Sequence, residues 1–113
     1  MTLSRAVTLG DAMRKGNSYD NNLKTHWINE VEATVRRLVD LDNGDADGYT
    51  WEDDQDTELL VPDPYSKLYW AYLCAMIDMA NGEFTRYKNL LSVYNAFLTD
   101  YKLWRDIKGG ESA

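Results

Sequence analysis

Nucleophilic catalysis needs a nucleophile, a base and a group that orients the base. The sequence offers one histidine and one cysteine for that work. His26 stands beside Trp27 in a stretch of helical period, and Cys74 lies in the most apolar run of the chain. Both read as structural, the first a partly exposed helix residue and the second a small core hydrophobe. The sequence has no Gly-rich phosphate loop and no Cys/His metal spacing. The expectation is a protein without a catalytic residue, a cofactor or an enzymatic activity.

The nearest approach to a ligand site is acidic. Asn43, Asp45, Asp47 and Gly48 fall at positions 1, 3, 5 and 6 of a calcium-binding helix–loop–helix motif, and Asp54 falls at position 12. Three features depart from that motif. Position 1 is an amide, Trp51 occupies position 9, and the last ligand is Asp where a longer, bidentate Glu is usual. A solvated acidic loop is favoured over a weak calcium site at Asn43, Asp45, Asp47 and Asp54. Within the same loop, Tyr49, Trp51 and Asp53 have two readings: the aromatics fold back on the body, or the group contacts a partner. Asp78, Glu83 and Arg86 flank a turn further on. There Glu83 suits the positive end of a helix, and an Asp78–Arg86 contact would staple the turn.

Four helices are expected to carry these residues. Residues 3–15 place Leu3, Ala6, Val7, Gly10 and Met13 on one side, with Thr2 as N-cap and Gly16 ending the helix. Gly10 costs such a helix roughly 1 kcal/mol relative to alanine. The second helix opens at Ser18–Asp20 and runs to about Leu41, capped by Ser18 or Asp20. Its apolar stripe is Leu23, Trp27, Ile28, Val31, Val35, Leu38 and Val39, with Glu30, Glu32, Arg36 and Arg37 in water. Pro64 suits the first turn of a third helix with Asp63 as N-cap. From Tyr65 to Ala80 that helix is apolar almost all the way round, so it is central or shared with another chain. Asn81-Gly82 breaks it. A fourth helix, from Glu83 to about Ile107, repeats every seven residues through Phe84, Tyr87, Leu91, Tyr94, Leu98 and Tyr101, with Leu90, Phe97 and Trp104 alongside. The short link predicts an antiparallel hairpin of the last two helices. The fold expected is all-α: a small bundle of about four helices spanning 1–108, with a long acidic loop at 42–62 and a flexible tail at 109–113.

Composition narrows the function. The net charge of −7 comes from residues 40–58, which hold nine acids and no base; elsewhere ten acids face twelve bases. That leaves no basic footprint for sequence-specific nucleic-acid binding. The longest apolar run, Leu68 to Ile77, is about half of what a membrane span needs. The first residues lack the pattern of a signal peptide, and a lone cysteine gives no internal disulfide. A cytoplasmic setting is therefore expected.

One stretch resembles a known family. Glu58-Leu59-Leu60-Val61-Pro62-Asp63-Pro64-Tyr65, Leu68-Tyr69, Ile77-Asp78, Gly82-Glu83 with Arg86-Tyr87 and Asn89, then Tyr94-Asn95, are similar to small head–tail connector or adaptor proteins. These come from phages and prophages of Gram-positive bacteria. Asn17-Ser18-Tyr19 and Trp27-Ile28-Asn29-Glu30 extend the resemblance to nearly the whole chain, and the acidic loop matches it least. The resemblance implies a helical virion-assembly protein that self-associates, as a ring or a smaller oligomer, between portal and tail proteins. It would be in the host cytoplasm during assembly and in the virion neck afterwards. The competing expectation is a monomeric helical binding module, or small regulator, that meets a basic partner through acidic loop residues 42–58.

Overall fold

The computed structural model describes residues 1–38 and 48–111, with side chains to Lys108. Five helices and no strand are found among the described residues: α1 Leu3–Met13, α2 Asn21–Leu38, α3 Trp51–Asp54, α4 Lys67–Ala80 and α5 Phe84–Glu111. The molecule is elongated, 47 × 33 × 22 Å, in keeping with α5, whose 28 residues span about 42 Å.

Local chemistry sets most helix ends. The Thr2 hydroxyl accepts from the backbone N–H of Arg5 at 3.2 Å and opens α1. Of the two candidates for α2, Asp20 is the cap: its Oδ1 accepts from Leu23 N–H at 2.8 Å. After α4, Gly82 adopts φ +77, and the N–H groups of Gly82 and Glu83 return to the carbonyls of Met79 and Asp78. These bonds close the last turn of α4 with a left-handed glycine.

α4 is the centre of the molecule. It packs against α1, α2 and α5 and buries Leu68, Tyr69, Ala71, Leu73, Cys74, Ala75 and Ile77. Those side chains are covered within one chain, while Trp70, Tyr72 and Met76 are half-buried and Met79 is exposed. Gly10 lets α1 come close: a Cβ there would stand 3.1 Å from Leu73 Cδ1. α5 packs on α4 and on the turn before it through ring pairs, Tyr72–Tyr94 at 4.9 Å, Trp70–Phe97 at 6.2 Å and Tyr65–Tyr101 at 6.0 Å between centroids.

Several expectations are corrected. The acidic loop is not wholly irregular, since Thr50 caps the short helix α3 inside it. Residues 39–47 lie outside the described residues. Residues 63–66 form a turn in which Ser66 donates to Asp63, so α4 starts at Lys67 and not at Pro64. Phe84, placed in the packed stripe, is 61 % exposed. On α2, Leu23 and Leu38 are exposed, while Lys24 and Glu32 are buried. The helical backbone of α5 continues to Glu111, into the segment expected to be a loose tail.

Candidate functional site

The segment from Tyr49 to Val61 is fastened to the helical body along its length. Residues 55–59 run antiparallel to the start of the chain: Leu3 N–H donates to Thr57 O at 3.1 Å, and Leu59 N–H to Met1 O at 2.9 Å. The Asn29 amide clamps Tyr49, donating to its carbonyl at 3.0 Å and accepting from its N–H at 2.8 Å. At the centre stands Glu32, 4 % exposed, which accepts from Tyr49 Oη at 2.8 Å, Leu60 N–H at 2.9 Å and the Tyr69 hydroxyl. Tyr69 Oη in turn accepts from Val61 N–H at 2.9 Å. Burial, reinforced by the Glu32 charge, drives the Tyr49 and Tyr69 hydroxyls well above the usual phenol range.

This arrangement decides the reading of the loop aromatics. Tyr49 folds back on α2, and Trp51 packs half-buried against the core. Asp53 and Asp54 are used locally. The Thr50 hydroxyl faces both Asp53 N–H and Asp53 Oδ2, while Asp54 accepts from Thr50 N–H at 2.8 Å and from the Thr57 hydroxyl at 3.3 Å. The other calcium candidates, Asn43, Asp45 and Asp47, lie outside the described residues. Among the described residues no three His, Cys, Asp or Glu side chains gather as a metal set.

The remaining candidates separate. His26 is exposed and lines a shallow hollow with Asn29, Tyr49 and Trp51. Cys74 is buried, and burial pushes its thiol up to about 11. Asp78, 1 % exposed, does not staple the turn to Arg86. It receives a two-pronged contact from Arg14, with Nε and Nη2 each at 2.9 Å from its oxygens. Arg86 lines the neighbouring cleft with Lys15 and Ser18, and Glu83 contributes its backbone N–H to the end of α4.

Sequence reasoning missed three polar anchors: Glu32, Arg14–Asp78, and the buried Lys24, whose Nζ lies 2.7 Å from Asp11. Position was the available signal, because Glu32 follows Ile28 by four residues and Val31 by one, on the inner side of α2.

Among the described residues, four exposed large apolar side chains, Phe84, Val93, Leu103 and Ile107, lie on α5. Its 28 residues are twice the 14 of α4, so it outruns the helix it packs on. On its outward side Val93 is 39 % exposed, Leu103 56 % and Ile107 62 %, and a shallow hollow joins Leu103 and Ile107 to Tyr65 and Trp104. Such a face serves protein contact more readily than chemistry. No protein-family model, curated protein or solved structure matches the chain.

Proposed function

We propose that the protein is a non-catalytic assembly protein that associates with copies of itself and seats between portal and tail proteins as a head–tail connector. The outward side of α5 supports the reading most, because Val93, Leu103 and Ile107 stand in water on a helix longer than its intramolecular partner. Exposed apolar side chains in a line mark contact with another protein. In this reading α1, α2, α4 and α5 are a four-helix bundle, and α4 with α5 is its antiparallel arm. The excess of acid in residues 40–58 fits a place beside a DNA channel, since it repels passing phosphates. No helix among the described residues is long and apolar enough to cross a membrane, and the reading needs none. The resemblance of residues 58–95 to head–tail connectors names the assembly; the exposed face supplies a means.

The test is capture by purified portal protein, followed by negative-stain imaging. Binding with ring or collar density at the tail-facing end is expected. A chain that passes the portal unbound, while binding a basic protein through its acidic segment, contradicts the proposal and favours the monomeric module.

A further inference from the structure

A second seven-residue line runs down the outward side of α5, apart from the one packed on α4. Val93, Asp100 and Ile107 are seven residues apart, with Ala96 and Leu103 between them at steps of three and four. All five are exposed. A straight helix drifts only about 20° per seven residues, so they form one narrow face. One repeat back from Val93 stands Arg86, also exposed, at the rim of the cleft it shares with Lys15 and Ser18. Arg86 and Asp100 thus lie at equal distances from Val93, about 10 Å to either side. Neither side chain has a hydrogen bond or ion pair among the described residues. Opposite charges placed evenly about a small apolar centre are complementary to their own reversed copy.

We infer that the part of this face from Arg86 to Asp100 is covered by a second copy of the chain, α5 against α5, antiparallel about a two-fold axis at Val93. Arg86 of each copy then meets the partner's Asp100. The contact is isologous, so each charged pair forms twice, and Val93 and Ala96 let the helices approach closely at the crossing. Leu103 and Ile107 lie past the start of the partner's α5 and stay outside this contact. The soluble unit is then a dimer, and Leu103 and Ile107 are left in water for contact with portal or tail. The inference rests on the self-associating reading above.

Light scattering and sedimentation of the full chain test it, with R86D, D100R, their combination, and V93C. The wild type is expected to be a dimer at micromolar concentration. Each single charge reversal sets like charges face to face twice and weakens the dimer about tenfold, and the combination restores it. V93C is expected to oxidise to a covalent dimer, with Cys74 buried out of reach. Circular dichroism checks that each variant is helical, and the V93C cross-link decides should a reversal unfold the chain. A monomer, or a dimer indifferent to both reversals with V93C uncrosslinked, overturns the inference. Portal capture by a chain that stays monomeric overturns the pairing and leaves the assembly role standing. A charge-dependent dimer that ignores portal upholds the pairing and removes that role.

Discussion

A carboxylate held away from water must be surrounded by donors, and Glu32 meets that demand with two tyrosine hydroxyls and a backbone amide. Glu32→Ala leaves those donors without their acceptor, and a loss of about 2–3 kcal/mol is expected. Denaturant melts measure the loss, and faster hydrogen exchange at Leu60 and Val61 shows where the segment loosens. Asp78 is a parallel case with a cation as partner. Arg14→Met strands that buried carboxylate and should cost about 3 kcal/mol, whereas a surface pair such as Lys102–Asp106 should cost well under 1 kcal/mol. Tyrosine ionisation gives a third outcome. Burial raises the Tyr94 hydroxyl from 10.0 to about 12, and Tyr49, Tyr69 and Tyr72 rise in the same direction. Above pH 10 the unfolded chain releases these protons first, so stability present below that point falls as pH climbs through the folded values. Buried Tyr94 and Tyr69 should each remove up to about 1.4 kcal/mol per pH unit over that window. Thermal melts from pH 9 to 12 check this, and stability unchanged to pH 12 would contradict it. None of these anchors was legible in the sequence beyond the inner-side position of Glu32. Their partners stand 13 to 64 residues away, and a helical period carries no record of such distances.

Elements were easier to read, because their ends depend on neighbours in the chain. Thr2, Gly16 and Asn81-Gly82 mark helix ends through local hydrogen bonds and left-handed glycines. Where tertiary contacts decide, the sequence pattern pointed elsewhere. The turn at 63–66 delays α4 and leaves Tyr65 against Trp104, 5.2 Å between ring centroids. Phe84 keeps the period of α5 but precedes the part that α4 covers, so it stays in water. Gly10 reads as a weak point in α1, yet it is where that helix meets Leu73. Gly10→Val should therefore destabilise by about 1–3 kcal/mol through crowding, despite removing a flexible glycine. A chemical melt that finds this variant as stable as wild type would count against close α1–α4 packing.

At the scale of the whole molecule, the all-α class follows from the periods of α1, α2 and α5, which need no knowledge of contacts. Which helix keeps a line of apolar side chains in water does not. The unbroken apolar surface of α4 suggested sharing between copies, but three helices of the same chain pack on most of it, and the exposed apolar line belongs to α5. Association through that line is the claim on which the functional account turns. Mass measured by light scattering across a hundredfold concentration range, with and without portal protein, tests it most directly. The account predicts a mass that rises above that of a single chain as concentration increases, and joint elution with portal. A single-chain mass at every concentration, unaffected by portal, would contradict it.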